Sequence, residues 1–151
     1  MQPKKLLEEL SNNGLKTSDI DFVLLTHTHT DHAMLTGIFE KAQVLNSEEI
    51  YDSDKQLEHG NKIPIKGLAI ISTPGHVDDH CSLVVKIDEG IYVVAGDVFW
   101  WKDDEEQKID VNKPDQAYPG DMKQLTASRK KILEIADFII PGHGKMFKVE
   151  K

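Results

Sequence analysis

The sequence predicts an α/β or α+β fold for its 151 residues. Apolar runs of strand length alternate with segments whose apolar residues recur at helical spacing. Two of the apolar runs flank the turn sequence DEG at residues 88–90, which is typical of a β-hairpin. Intermixed strands and helices with one hairpin favour layers of sheet and helix, and the length suits a single domain over residues 1–151.

The N-terminal part of the chain predicts two helices and one strand. The leucines of residues 3–11 form one apolar face, and the sequence NNG that follows is typical of a helix end. The run DFVLLT at residues 21–26 has the length and composition of a strand. A second helix is expected to begin near Asp31 and to continue through the sequence HAMLTGIFEKA.

The remainder of the chain predicts four strands, a loop and one more helix. The run LAIIST at residues 68–73 is a strand that ends at Pro-Gly, and the runs CSLVVKI and IYVVAG form the hairpin. Residues 99–120 are polar and rich in turn residues, which indicates a long loop, and FII at 138–140 is a last strand that stops at Pro-Gly. Asp121 is the expected cap of a helix with apolar positions at Met122, Leu125, Ile132, Leu133 and Ala136.

Composition and charge exclude several classes of function. The net charge of −8 argues against a basic surface that binds nucleic acid by counterion release. No stretch approaches the apolar length of a membrane span, and the acidic turn after the first lysines does not resemble a signal peptide. One cysteine rules out an intrachain disulfide and fits a reducing compartment, so a cytoplasmic location with no membrane partner is expected.

Four of the apolar runs lead into side chains that bind metal ions. The first run continues into HTHTDH, and the others continue into PGH, GD and PGH. Strands in a layered fold can deliver such ends to one edge of a sheet, so we expect residues that are distant in the chain to converge. The candidate ligands are His27, His29, Asp31, His32, His76, Asp97 and His143.

The spacing of these residues has a physical reading. His27 and His29 are two residues apart in an extended segment, so both rings project to one side and can share an ion. Asp31 and His32, where the chain turns into a helix, can reach a second ion. Zinc favours imidazole nitrogen and carboxylate oxygen, and Asp97 is the natural bridging carboxylate. Without metal, the cluster would bring together desolvated and mutually repelling groups, so metal binding is predicted.

The order HTHTDH, TPGH, GD and PGHG, over about residues 20–147, resembles the metallo-β-lactamase superfamily of binuclear hydrolases. The segments TPGHVDDHCSLVV, VVAGDVFWW and ADFIIPGHG are most similar to the small hydrolases of the metallo-β-lactamase domain-containing protein 1 type. The resemblance implies an αββα sandwich that is pared down at its N-terminus. It also implies a first ion held by His27, His29 and His76, a second held by Asp31, His32 and His143, and Asp97 as the bridge.

The resemblance implies a hydrolase with two Zn²⁺ ions, iron or manganese being the alternatives. A hydroxide between the metals would attack a phosphodiester or a (thio)ester or lactone bond of a small-molecule or oligonucleotide substrate, with ribonuclease and weak β-lactamase activity in its range. Asp97 and Asp31 would be the catalytic carboxylates, the second orienting the nucleophile. Class B β-lactamases do not normally use a bridging aspartate where Asp97 stands, so antibiotic hydrolysis is not expected as the main task.

Two other functions remain open from the sequence. A single iron could support oxygen chemistry, as in persulfide dioxygenases of the same superfamily, but all three ligands of the second ion are present. The chain could also be a catalytically inert binding module, although an inert protein has no reason to keep seven ligands.

The family usually places several strands before its first histidine motif, whereas 26 residues precede His27 here. We therefore expect a homodimer in which a second copy covers the exposed apolar surface.

Three residues near the motifs, His80, Trp100 and Lys145, are candidates for supporting roles or substrate contact. His80 follows a proposed ligand by four residues, where the family often has a supporting histidine, and this role and a surface position are weighed equally. At least one of Trp100 and Trp101 should face the core, while the other would line the substrate cleft. Lys145 would contact a substrate anion or remain solvated, the solvated position being favoured.

Three further features have plainer interpretations. His59 lies in the polar stretch KQLEHGNK and is expected at the surface. Cys81 begins an apolar strand, which favours packing over a thiolate ligand. The acidic run at residues 103–106 is expected to be a solvated loop.

Overall fold

The computed structural model describes residues 3–60, 63, 65–116 and 120–150. The chain divides into two compact units, residues 1–60 and residues 61–151. Each unit contains one β-sheet in which parallel and antiparallel pairs are mixed, together with helices. Mixed sheets with helices confirm the predicted α+β class, whereas a single domain over the whole chain stays a prediction.

In the part of the chain that the structure describes, the helices are α1 (Pro3–Asn12), α2 (Thr30–Ala33) and α3 (Met122–Ile135). The strands of the first unit are β1 (Phe22–Leu24), β2 (Gln43–Leu45), β3 (Glu49–Asp52) and β4 (Lys55–Glu58). The strands of the second unit are β5 (Leu68–Ser72), β6 (Cys81–Ile87), β7 (Gly90–Trp100), β8 (Phe138–His143) and β9 (Phe147–Lys148).

The sheet of the first unit has the order β1-β2-β3-β4. Strand β1 pairs with β2 in parallel, and the following pairs are antiparallel. The predicted helix α1 and strand β1 are confirmed, while β2, β3 and β4 lie where the sequence made no prediction. These three strands are only three or four residues long, too short for a clear alternating pattern.

The helix expected from Asp31 onward is much shorter than predicted. Helix α2 ends at Ala33, and only a 3-10 turn at Thr36–Ile38 follows it. The hydroxyl of Thr36 donates to the carbonyl oxygen of Ala33 at 2.7 Å, an alternative to the helical backbone ladder, and Gly37 has low helix propensity. The apolar periodicity of this segment was therefore overridden by local hydrogen bonding.

The sheet of the second unit brings three strand ends to one edge. Its order is β5-β6-β7-β8-β9, and the predicted hairpin joins β6 and β7. Strands β5 and β7 both pair with β6 in antiparallel fashion, and β8 runs parallel to β7. The C-terminal ends of β5, β7 and β8 therefore point the same way, as the metal-ligand motifs at those ends require.

Strands β7 and β8 extend beyond their predicted ends. Asp97 lies within β7, which continues to Trp100, and the pairing register shifts on both sides of Gly96. Such a β-bulge bends a strand and redirects the side chains that follow it. Pro141 has no N–H to donate, but it lies opposite Gly96, where the ladder is already irregular and no such bond is needed. The proline is therefore tolerated within β8, which continues to His143.

Helix α3 begins and packs as its sequence predicts. The carboxylate of Asp121 caps it by accepting hydrogen bonds from two backbone amides of the first turn. Leu125 and Ile132 are fully buried. Arg129 on the same face is also buried, which the apolar pattern does not indicate.

The core of the second unit is formed between helix α3 and the sheet. Its buried residues are Val93, Ala95, Val98, Phe99, Trp101, Leu125, Ile132, Ala136, Ile139 and Val149. Among the described residues, no helix combines the length and the apolar character that crossing a bilayer demands.

Replacing Ile132 with alanine should lower the free energy of unfolding by about 2–5 kcal/mol, because the fully buried side chain would leave a cavity. Urea denaturation followed by circular dichroism measures the change. Glu134→Ala, on the exposed side of the same helix, is the matched control and should leave stability nearly unchanged. Equal midpoints for the two variants would contradict this account of the core.

Candidate metal centre

The histidines of the first unit cluster where β1 leads into α2. His27 is buried, and its Nδ1 atom lies 3.1 Å from the hydroxyl of Thr26. The ring centroid of His27 is 4.6 Å from that of His29 and 4.3 Å from that of His32. Asp31 Oδ2 lies 3.6 Å from His32 Nε2. The motif HTHTDH therefore forms a compact group of imidazoles with a carboxylate at its exposed side.

The second unit brings its three predicted ligands together, with two imidazoles beside one carboxylate. Oδ2 of Asp97 lies 3.6 Å from Nε2 of His76 and 3.9 Å from Nε2 of His143. His76 and Asp97 are buried, whereas the side chain of His143 is about half exposed. Asp97 thus faces an imidazole nitrogen from each of the two PGH motifs.

Asp115 is a component of this group that the sequence analysis missed. Nδ1 of His76 donates a hydrogen bond to Oδ2 of Asp115 at 2.5 Å, and both side chains are only 1% exposed. This bond engages Nδ1 and leaves Nε2, the nitrogen that faces Asp97, as the one available to a metal ion. A single aspartate in a polar, acidic loop carries no sequence signal of this role, so only its contact with His76 reveals it.

The glycines of the two PGH motifs allow close approach of the backbone. A Cβ atom on Gly142 would overlap Oδ1 of Asp97, so any larger residue would displace the carboxylate. Gly75 has φ +129°, and a Cβ atom there would overlap the backbone of Leu125 in helix α3. Both glycines therefore have a steric role next to a candidate ligand.

The structure decides the positions of two other histidines. His80 is fully buried, its Nδ1 lies 3.0 Å from the hydroxyl of Thr73, and its ring centroid is 6.2 Å from that of His76. A surface position for His80 is therefore wrong, and its supporting role for His76 stays a prediction. The surface position predicted for His59 is also wrong, because this residue is buried with its Nε2 3.0 Å from the carbonyl oxygen of Asn46.

Both tryptophans are buried, and Trp101 belongs to the core as predicted for at least one of them. Trp101 also borders a cleft of 490 Å³, which Lys145 lines with its exposed side chain. Trp100 lies beside Lys113, whose ammonium is 5.0 Å from the ring centroid and donates to the Trp100 carbonyl oxygen at 2.7 Å. Substrate contacts of Trp100 and Lys145 stay predictions.

The acidic run 103–106 is exposed, as predicted, although Glu105 forms an ion pair with Lys113 at 2.8 Å.

Cys81 is fully buried, which confirms the packing prediction. Burial raises the pKa of the Cys81 thiol to about 12, so the thiol is protonated at neutral pH.

The donor types in each unit fit a divalent cation. Ligand atoms of His27 and His29 lie within 4.8 Å of each other in the first unit, and those of His76 and Asp97 do so in the second. Imidazole nitrogen and carboxylate oxygen are the donors that zinc and iron accept. In the second unit the carboxylates of Asp97 and Asp115 both contact His76, and positive charge would stabilise these buried anions.

No protein-family model matches the chain. It is 33% identical over 154 residues to metallo-β-lactamase domain-containing protein 1 of Xenopus laevis, covering 97% of this chain and 63% of that protein. It is 32% identical over 146 residues to a probable metallo-hydrolase of Methanocaldococcus jannaschii, covering 97% of this chain and 68% of the relative. The chain spans 54–63% of the length of the vertebrate relatives that it matches.

Solved structures share the fold at lower identity. The crystal structure of BLEG-1, a B3 metallo-β-lactamase, superimposes with a TM-score of 0.66 at 22% identity, covering 97% of this chain and 78% of that one. A di-iron-bound form of TTHA1623 gives 0.62 at 22% identity, with 99% and 81% covered. AidC, a dizinc quorum-quenching lactonase, gives 0.60 at 19% identity, with 85% and 57% covered.

Cys81 should resist modification in the native protein, because it is buried and its thiol ionises only near pH 12. At pH 8 about one thiol in ten thousand would be ionised. Ellman's reagent should therefore react with this single thiol much faster after unfolding in guanidinium than before it. Rapid labelling of the folded protein would contradict both the burial and the raised pKa.

Proposed function

The chain belongs to the metallo-β-lactamase superfamily, a family of metallo-hydrolases, and we propose that it is a binuclear zinc-dependent hydrolase. The observation that best supports the proposal is the buried group around His76. One carboxylate, Asp115, holds Nδ1 of this imidazole, and a second, Asp97, faces its Nε2 at 3.6 Å. A metal-ligating histidine usually donates its other ring N–H to a carboxylate or a carbonyl oxygen, and Asp115 provides that acceptor for His76.

The proposal keeps the two sets of metal ligands that the resemblance to the superfamily implies. The first unit supplies its histidine cluster and Asp31, and the second unit supplies His76, Asp97 and His143. The first ion would be held by His27, His29 and His76, the second by Asp31, His32 and His143, and Asp97 would contact both. Within the second unit, the distances of 3.6 and 3.9 Å from Oδ2 of Asp97 to two imidazoles support the bridging assignment.

Zinc bound in this way would lower the pKa of water and polarise the bond to be cut. Side chains of this protein would orient the metal ligand and the attacking water. Asp115 accepts the hydrogen bond from Nδ1 of His76, and Asp31, whose side chain is half exposed, would orient the attacking water through its second oxygen. A cysteine nucleophile is not expected, because the thiol of Cys81 is buried and protonated.

The proposed substrates contain a phosphodiester or a (thio)ester or lactone bond. The lactonase AidC shares the fold, and the similarity to metallo-β-lactamase domain-containing protein 1 keeps a phosphodiester, including RNA, among the candidates. The net charge of −8 favours a small molecule or a short oligonucleotide over a long nucleic acid. A homodimer and a cytoplasmic location stay predictions from the sequence.

Elemental analysis combined with a substrate panel tests the function. We expect two zinc ions per chain, loss of hydrolysis on chelation, and recovery when zinc is returned. The panel contains fluorogenic esters and thioesters, an acyl homoserine lactone, bis-(p-nitrophenyl) phosphate, a short RNA and a chromogenic β-lactam. One iron per chain with oxygen consumption would indicate a dioxygenase instead, and a protein that binds no metal would be an inert binding module.

Replacing Asp97 with alanine should lower both metal content and the rate of hydrolysis, because the carboxylate between the two imidazoles is lost. We expect kcat/KM to fall by about 10²–10³-fold or more. Asp88→Ala, in the exposed hairpin turn, is the matched control and should retain both properties. Full metal content and an unchanged rate in Asp97→Ala would refute the bridging role.

A further inference from the structure

Arg129 is a cation in the interior of the second unit. Its residue surface is 1% exposed, although it lies on helix α3 among apolar neighbours. Its Nε donates to the carbonyl oxygen of Val98 at 2.8 Å, and its Nη1 donates to the carbonyl oxygens of Val111 at 3.1 Å and Lys113 at 2.6 Å. One guanidinium therefore ties helix α3 both to strand β7 and to the loop that follows it.

The loop segment that Arg129 holds leads directly to Asp115. Lys113, which accepts a hydrogen bond from Arg129, is only two residues before Asp115 in the chain. Asp115 in turn accepts the hydrogen bond from Nδ1 of His76. A continuous path of hydrogen bonds and a short stretch of backbone thus connects the buried arginine to a candidate metal ligand.

The positive charge of Arg129 also connects this residue with Asp115. Burial lowers the pKa of Arg129, while the nearby carboxylates of Asp115 and Asp110 act in the opposite direction and favour the charged guanidinium. An arginine stays protonated in proteins, so this residue brings a positive charge near the 1%-exposed carboxylate of Asp115.

Other contacts also hold the loop, so the arginine is not its only support. The hydroxyl of Thr126 donates to the same Val111 carbonyl oxygen at 3.2 Å, and Nζ of Lys113 donates to the Trp100 carbonyl oxygen at 2.7 Å. Removing the guanidinium should therefore shift the segment that carries Asp115 without releasing the whole loop.

We propose that Arg129 is a positioning residue that holds Asp115 against His76 and so directs Nε2 of His76 toward the metal. The inference rests on the proposed metal-dependent function for its consequence, whereas the hydrogen bond that it concerns joins Nδ1 of His76 and Oδ2 of Asp115 directly.

The test uses two variants and a matched control in the full chain. Arg129→Met removes the hydrogen bonds and the charge. Arg129→Lys keeps the charge but cannot reproduce the forked contacts to Val98, Val111 and Lys113. Lys130→Met removes an exposed charge from the next position of the same helix and is the control. Thermal melts establish that each variant is folded.

The first readout is the imidazole proton on Nδ1 of His76 in metal-free protein, observed by ¹H–¹⁵N NMR with histidine labelling. The expected result is a slowly exchanging, downfield resonance in the wild type and in Lys130→Met. In Arg129→Met and Arg129→Lys we expect this resonance to broaden or disappear. Its retention in Arg129→Lys, the variant more certain to fold, would overturn the proposal.

The second readout is cobalt binding, followed by the visible spectrum of Co²⁺. Both Arg129 variants should bind cobalt about 10- to 100-fold more weakly than the control, with altered absorption bands. Unchanged affinity and bands in both variants would overturn the inference while leaving the hydrolase proposal intact. A wild type that shows the His76 resonance but binds no cobalt would instead refute the proposed function, and the effect of Arg129 on the resonance would still be decided.

Discussion

The hydrogen bond between His76 and Asp115 is the interaction on which the candidate metal centre of the second unit depends. It joins two side chains that are almost completely buried and 39 positions apart in the chain. An ionised carboxylate in such surroundings is costly unless hydrogen bonds and positive charge compensate it. The imidazole supplies the hydrogen bond, and Arg129 supplies charge from the interior. The same bond orients the ring of His76, so the burial of this residue and the direction of its Nε2 are determined together.

The topology of the second sheet explains why the three ligands of this unit meet. Strands β5, β7 and β8 all point toward one edge, and His76, Asp97 and His143 lie at or beyond it. The irregular register around Gly96 places Asp97 inside a continuous strand and still lets it face two imidazoles. Gly142 completes the arrangement, since any Cβ atom there would occupy the position of the carboxylate.

Charge accounts for how an acidic protein could act on an anionic substrate. The net charge of −8 would repel a phosphodiester at long range. In the second unit, a divalent cation held by Asp97, His76 and His143 would add positive charge to the candidate metal centre. The proposed hydrolysis of small anionic substrates would require such local positive charge, while the acidic net charge disfavours long nucleic acids.

The sequence by itself determined the α+β class, the strands that precede the motifs, the capped helix α3 and the family, because these depend on local periodicity, turn residues and short spaced motifs. Only the tertiary structure decided the roles of Asp115 and Arg129, and the burial of His59 and His80. Their partners come from distant or irregular segments, and no local pattern records such contacts. Helix α2 is shorter than its apolar repeat predicts, because the side-chain hydrogen bond of Thr36 competes with the helical backbone hydrogen bonds.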